Sequence, residues 1–377
     1  MKKFKVLTVV GTRPEIIRLS RVIEKFDKKF NHILVHTNQN QNYELNQIFF
    51  EDLKLRKPNY ILKKNFSTTF SFLAYALIEV EKIIFKEKPD AFLVLGDTNS
   101  ALTSIIAKRF KIPLFHVEAG NRCLDQNVPE EINRKILDHI ADVNIVYSAF
   151  ARRNLIKEGI ANEKLYNLGS PLFEVLDHYS KELNHSIILN KYRVKKNNFF
   201  LISFHRNENI TNKNNLKNFF LILELINKNY KLPILVSTHP GTKKVISQIK
   251  KKNNFKNIFF LKPFSFKEYI SLQVNARLII SDSGSITEES SILNLNSISL
   301  RNTFERQEGL ETSSIIISSL NINTFEKILN YKLSGSGNKS HIHKEYNNLY
   351  FSQNLADLVI SKIDYVNKYI YYKNFDE

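Results

Sequence analysis

Glycine is scarce in this chain. Its 377 residues include ten glycines, against about 26 at an ordinary usage of roughly 7%. A single cysteine, Cys123, excludes an intramolecular disulfide and fits a reducing cytoplasm. No apolar run approaches the roughly 18 residues of a membrane span. The amino-terminal MKKFKVLTVVGTRPE begins with lysines and an apolar run, as a signal peptide does. That run is short, no small-residue cleavage site follows it, and Arg13-Pro14-Glu15 ends it, so a first strand is expected there. Neither a Walker loop nor the GxGxxG signature is present, so ATP hydrolysis and NAD binding lack their usual support. His-Cys-Asp metal spacing is absent too, and the reading calls for no cofactor and no metal.

What is present belongs to a soluble globular protein: 43% hydrophobic and 24% charged residues, in a chain long enough for about two domains. The formal charge is +18, from 55 basic and 37 acidic residues. Such a balance invites nucleic acid as a partner. Its basic runs, Lys250-Lys251-Lys252 among them, lack the aromatic interleaving that stacks bases. No nucleic-acid partner is expected, and a basic surface also suits an anionic small substrate.

Apolar β-rich runs alternate with helical periodicity along the chain. Strands are predicted at 5–10, 33–36, 91–95, 114–117, 143–147, 199–203, 234–237, 258–261, 278–281 and 297–300, with helices such as 99–110, 129–140 and 215–227 between them. Continuous rather than alternating apolar strands imply burial on both faces, hence a mostly parallel α/β sheet covered by helices. The pattern pauses near Gly169-Ser170-Pro171 and resumes near Phe199, so two doubly wound domains are expected, 1–170 and 171–352. Leu355, Val359, Ile363, Val366 and Ile370 form one stripe of a final helix over about 353–377.

Scarcity makes each glycine informative, because such a chain keeps glycine where the backbone demands it. Five of the ten stand at or just after predicted strand ends, in VVGTRPE, VLGDTNS, HVEAGNR, NLGSP and ISDSGS. Reactive side chains flank them: Arg13, Glu15, Asp97, Glu118, Arg122 and Glu289. Ligands of open α/β sheets bind at that edge, and two such edges facing each other would form an interdomain cleft. Any single glycine has a plainer reading as an ordinary turn.

In SDSGSITEESS, a strand ending at Ser281, a corner at Gly284 and a helix opening through Ile286 would offer free N–H groups and a positive dipole end to an anion. Ser283 or Ser285 can cap that helix, with Glu288 or Glu289 supporting its first turn. Capping needs no ligand, but it does not call for two glutamates; the second suits a ribose diol. FHRNEN adds His205, Arg206 and Glu208, and STHP adds His239. In RNTFERQEG, Arg301 or Arg306 can neutralise phosphate oxygens, and KPFSF can give a base an apolar wall at Phe264. In the first half, Asp97, Glu118 and Glu130 follow strand ends or open a helix. Carboxylates sharing one cavity disfavour each other's charge, so one can act as a base while a neighbour stays protonated. The sum is acid–base chemistry on a nucleotide-linked sugar without a metal.

Taken together, these residues resemble the non-hydrolysing UDP-N-acetylglucosamine 2-epimerase family. The matching motifs are GTRPE (11–15), GDTNS (96–100), HVEAG (116–120), PEEINR (129–134), HRNEN (205–209), DSGSITEE (282–289) and TFERQE (303–308), in the family's order. The resemblance implies a GT-B-like pair of Rossmann-type domains, a homodimer, and a last helix crossing back to the first domain. It implies elimination of UDP from C1 as the C2 proton leaves, then re-addition with the proton delivered to the opposite face. Asp97, Glu118 and Glu130 would transfer protons, with His205 beside the diphosphate. Arg13, Ser283, Gly284, Ser285, Glu289 and Arg306 would hold UDP; Arg18, Arg134, Glu208, His239 and Phe264 complete the substrate set. Where the family has lysine after GTRPE this chain has Arg18; HRNE replaces HRRE or HREE, and ERQE replaces ERPE. The short segment GNRCLDQNV, with IIRLS, LNQIFF and EESSIL, is similar to the capsule and O-antigen subgroup, which forms UDP-N-acetyl-L-fucosamine or acts on UDP-diacetamido-uronic acids. UDP-GlcNAc itself is the next expectation. The rivals are a GT-B glycosyltransferase and a nucleic-acid-binding protein.

Overall fold

All ten predicted strands form in the computed structural model, which describes residues 3–39, 47–63, 66–123, 125–238, 256–301, 303–334 and 344–373. In the first half these are β1 (Lys5–Val10), β2 (Asn31–His36), β3 (Tyr60–Ile61), β4 (Ala91–Leu95), β5 (Leu114–Val117), β6 (Val143–Val146) and β7 (Leu165–Asn167). In the second half they are β8 (Phe200–Phe204), β9 (Ile234–Thr238), β10 (Ile258–Leu261), β11 (Leu278–Ser281), β12 (Ser297–Leu300) and β13 (Ile316–Ser318). Strands β3, β7 and β13 were not expected. Each has only two or three residues and lies at a sheet edge, so none carries a continuous apolar run.

The first sheet runs β3-β2-β1-β4-β5-β6-β7 and the second β10-β9-β8-β11-β12-β13. Every pairing is parallel. Strand order reverses between β1 and β4 in one sheet and between β8 and β11 in the other. Val6 pairs with Ala91 and Ser203 with Ser281, which fixes the register at both reversals. These are the switch points where open α/β sheets take ligands.

The chain divides into two compact units, Met1–His178 with Glu345–Glu377, and Tyr179–Lys344. Both are doubly wound parallel α/β units, as expected. In the first unit, β4 is at most 2% exposed along its length, against helices carrying Phe72, Ala76, Val80 and Leu137. The second has Phe200, Ile202 and Ile280 under Phe219, Leu223 and Phe325. The predicted helix 99–110 starts as a 3₁₀ turn, Ala101–Thr103, before Ser104–Arg109. The last helix, Phe351–Tyr369, packs on Arg13–Lys29 of the first unit. Glu174 secures its start by accepting from Ser352 N and Ser352 Oγ, both at 2.7 Å. No helix among the described residues is long and apolar enough to cross a membrane.

Candidate active site

The chain leaves β1 through Gly11, and a Cβ there would lie 1.9 Å from Ser100 Oγ and 2.4 Å from Thr37 Oγ1. Only glycine lets the GTRPE turn and the GDTNS loop touch this closely. Glu15, 1% exposed in the first turn of helix Arg13–Lys29, ties the two together. Its Oε2 accepts from Gly11 N, Thr12 N and Thr12 Oγ1 at 3.0, 2.7 and 2.8 Å, and Oε1 accepts from Thr98 Oγ1 at 2.9 Å. Burial outweighs these bonds and lifts its pKa to about 7.

A buried acid raised in this way favours folding when protonated, below its unfolded value of 4.5, and that contribution fades as pH climbs towards 7. In Glu15→Gln the amide oxygen can take the Oε2 place, with the amide nitrogen towards the Thr98 hydroxyl. The variant is expected to melt at or above the wild-type temperature at pH 8, with the gap closing by pH 5. A gap that widens towards pH 5 in melting curves overturns this.

The chain leaves β4 through Gly96 to Asp97, whose side chain is 27% exposed. Arg134 reaches it from helix Pro129–Ile140, donating through Nη2 at 2.6 Å and Nε at 3.1 Å, both to Asp97 Oδ2. Asn133 Nδ2 donates to the Asp97 carbonyl at 2.9 Å. Glu118 follows β5 with a left-handed φ of 71°, a conformation that costs a non-glycine residue about 1–2 kcal/mol and that marks functional turns. Its Oε2 lies 3.6 Å from the buried Arg18 Nε and accepts from Tyr147 OH at 3.5 Å. Asn121 Nδ2 donates to Oε1 at 3.4 Å. Arg13 is half-buried, its guanidinium 5.4 Å from the Phe49 ring centroid.

Glu130 sits in the first turn of helix Pro129–Ile140 and is exposed. Its neighbour Glu131 is 1% exposed and accepts from Arg134 Nη1 at 3.1 Å and Cys123 N at 3.1 Å. The first unit thus brings together Asp97 with Arg134 and Glu118 with Arg18, while Glu130 faces outward.

In the second unit the organising group is Asp282, just beyond β11 and 0% exposed. Its carboxylate accepts from His205 N at 3.1 Å, Arg206 N at 2.9 Å and Asn209 Nδ2 at 3.1 Å, which folds the loop leaving β8 onto the loop leaving β11. His205 Nδ1 lies 3.3 Å from Asp282 Oδ1 and 3.2 Å from Ser203 Oγ, with a third of the side chain exposed. Ser283, Gly284 and Ser285 are half-buried at the start of helix Ile286–Leu293.

Neither serine caps that helix as expected. Ser285 holds the N-cap position at φ −72°, ψ −19° and makes no side-chain cap bond, because this helical backbone turns its hydroxyl aside. The Ser283 hydroxyl accepts from Ser285 N at 3.3 Å.

Glu289 is 9% exposed and accepts from Gln273 Nε2 at 2.6 Å. Arg306 is buried against Glu288, Nη2 to Oε2 at 2.9 Å. Phe264 is buried between Tyr192 and Tyr269. Glu305 lies beside the Gly284 turn, paired with Arg301 at 2.6 Å and Arg206 at 3.6 Å. His239 lies outside the described residues, as do Lys250–Lys252; Glu208 falls in the short helix Asn207–Ile210, and its side chain is likewise outside them. Asp282, Glu305, Glu131 and Gln273 were not among the residues that the sequence pointed to.

Carboxylates held by arginines at one sheet edge can exchange protons with a carbon acid. A serine-lined turn at a helix start, with arginines beside it, can hold phosphate.

A family profile described as UDP-N-acetylglucosamine 2-epimerase matches residues 24–364. The UDP-N-acetylglucosamine 2-epimerase of Methanocaldococcus jannaschii is 38% identical over 327 residues, 83% of this chain and 88% of that protein. The solved structure of UDP-N-acetylglucosamine 2-epimerase from Rickettsia bellii matches with a TM-score of 0.92 at 44% identity, over 98% of this chain and 100% of that one. A Methanocaldococcus jannaschii UDP-GlcNAc 2-epimerase, solved in complex with UDP-GlcNAc and UDP, matches with a TM-score of 0.87 at 34% identity, over 95% and 100% of the two chains. With matches that span nearly its whole length and the family's motifs at both sheet reversals, the chain belongs to the UDP-N-acetylglucosamine 2-epimerase family, a family of isomerases.

Proposed function

We propose that the chain is a non-hydrolysing 2-epimerase of a UDP-linked 2-acetamido sugar. The observation that carries the reading is topological. The acids follow β4 and β5 beside the first switch point, and the serine turn and His205 follow β11 and β8 at the second. The reading requires one UDP-sugar to engage both groups of residues.

In the first half-reaction a carboxylate removes the C2 proton, and the C1–O bond breaks with its electron pair going to UDP, leaving a 2-acetamidoglucal. UDP then adds back at C1 while an acid delivers a proton to the other face of C2. No oxidant and no metal enters the balance. Asp97, Glu118 and Glu130 are the proton-transfer candidates. Arg13, Arg18 and Arg134 would steady the acids and phosphates, and Ser283, Gly284, Ser285, His205 and Arg306 the diphosphate. Glu289 would take the ribose, and Phe264 would help wall the base. Bound diphosphate would compete with Glu305 for Arg206 and Arg301.

UDP-GlcNAc is the first substrate to try, supported by the names of the similar proteins. A UDP-2-acetamido-6-deoxy-L-hexose for capsule or O-antigen synthesis is the second, favoured by the short segment before PEEINR. In D2O, NMR is expected to show deuterium entering C2 as the epimer forms. Sugar transfer to an acceptor without C2 exchange would instead mark a glycosyltransferase. Glu289→Ala is expected to weaken UDP binding about tenfold or more, as a lost charged hydrogen bond does, read by calorimetry; unchanged affinity overturns its ribose role.

A homodimer belongs to the same proposal. Phe70, Ile78 and Phe85 on helix Thr69–Glu87 are 82%, 52% and 60% exposed and recur at spacings that share one helix face. Native mass is expected to be that of two chains, and of one chain in a Phe70→Glu, Ile78→Glu variant. A monomeric wild type rejects it.

A further inference from the structure

We infer that His116 is a buried imidazolium that clamps the two acid-bearing turns of the first unit, Gly96–Asp97 and Glu118–Gly120, and serves the reaction as a positioning residue through its charge. The kinetic part of this inference rests on the epimerase reading above; the protonation state does not.

His116 lies on β5 and is 0% exposed. Its Nε2 is 2.8 Å from the Gly96 carbonyl oxygen, which can only accept, so Nε2 carries a proton. Its Nδ1 is 2.9 Å from Asp138 Oδ1, a close ion pair bent away from the in-line direction. Asp138 is itself an acceptor: its Oδ2 takes Arg122 Nη1 at 2.7 Å and Gly120 N at 3.3 Å. A carboxylate engaged by arginine leaves the second ring nitrogen no role but donor, and a ring with two donors is charged.

The charges alternate along His116, Asp138, Arg122 and Glu158, the last pairing with Arg122 at 2.6 Å. Burial alone would discharge the imidazole, yet the Asp138 carboxylate 2.9 Å away, helped by the Gly96 carbonyl and by Asp97 nearby, holds its pKa above the usual histidine range. Burial likewise opposes ionisation of Asp138, and His116 and Arg122 together hold its pKa low.

The clamp acts where the backbone is least comfortable. Gly96, Glu118 and Gly120 have φ of 71°, 71° and 86°. His116 holds the Gly96 carbonyl, one bond before Asp97, and Asp138 holds the Gly120 amide, two residues after Glu118. Glycine takes such angles freely, but Glu118 does so at a cost and persists there only when surrounding bonds over-determine it; this pair supplies one bond to each turn. The charged groups facing the ring are Asp138 from helix Pro129–Ile140, Arg122 behind it, and Asp97 across Gly96.

The test is nitrogen NMR of histidine-labelled wild type, the His116 signal being assigned by its loss in His116→Asn. Both ring nitrogens are expected to be protonated, and to give up a proton only at a higher pH than an ordinary histidine does. A neutral ring at pH 7 overturns the inference, whether or not a sugar substrate has been found. In Asp138→Asn the ring is expected to lose its charge near neutrality; an unchanged imidazolium there also counts against it. For His116→Asn, kcat is expected to fall about 10- to 100-fold with KM within about threefold. The acid limb of its pH–rate profile should also move up, because a cation near the reacting groups is gone. A purely structural residue would lower the yield of folded protein and leave that limb in place.

Discussion

Asp97→Asn is expected to lower turnover by roughly 10²- to 10⁴-fold, the range for loss of a general acid or base, while UDP affinity stays within about threefold. The substitution is clean because of how Asp97 is held. Both Arg134 bonds go to the same oxygen, Oδ2. An asparagine oxygen in that place keeps both, so the loop should stay where it is while the group loses its capacity to take a proton. Asn133 fastens the Asp97 carbonyl, which does not depend on the side chain. Single-turnover epimerisation and C2 deuterium exchange are the measurements, with UDP titration as the control. If exchange survives within tenfold, Asp97 is not the proton-transfer group, and Glu118 or Glu130 inherits the role. If UDP affinity collapses as well, the residue was binding substrate.

Asp97 is legible in the amino-acid sequence itself, for a physical reason. A continuous apolar run buried on both faces, such as AFLVL, reads as a central parallel strand, and the polar residues after its glycine must then lie at the ligand edge. The nine interior strands are legible on that ground, as are Asp97, Glu118 and Ser283. Of the edge strands, β10 still carries an apolar run, IFFL, but the others do not, because two residues such as Tyr60 and Ile61 carry no period.

Glu131 does carry a signal in its spacing. It stands three residues before Arg134 and seven before Asp138, so these three share one stripe of the helix. Asp282 lies out of reach for another reason. Its partners at 205–209 are more than seventy residues away, and nothing in either segment says that β8 and β11 are neighbours. Residues that hold other residues become visible only with strand order.

Asp282→Ala has the largest expected effect on stability. The carboxylate, at a position closed to solvent, answers three donors: His205 N, Arg206 N and Asn209 Nδ2. A buried donor left without a partner costs about 1–3 kcal/mol, and collapse of the loop onto the vacated space recovers part of that. A net loss of about 3–5 kcal/mol in the second unit is therefore expected, comparable to breaking a buried charge pair. At about 2–4 °C per kcal/mol for a unit of this size, its melting transition should drop by roughly 6–20 °C. The first unit shares none of these bonds, so its transition should stay in place and the two should separate. Asp282→Asn is the discriminating companion. Its oxygen in the Oδ2 place still accepts from His205 N, Arg206 N and Asn209 Nδ2, while its amide nitrogen takes the place of the Oδ1 that shares the His205 N–H and crowds that donor. It should therefore fall between alanine and wild type in stability. Because that clash lands on His205, it should weaken UDP binding more than its stability alone would suggest. Equal melting for all three proteins would mean that β8 and β11 hold their loops together without this carboxylate.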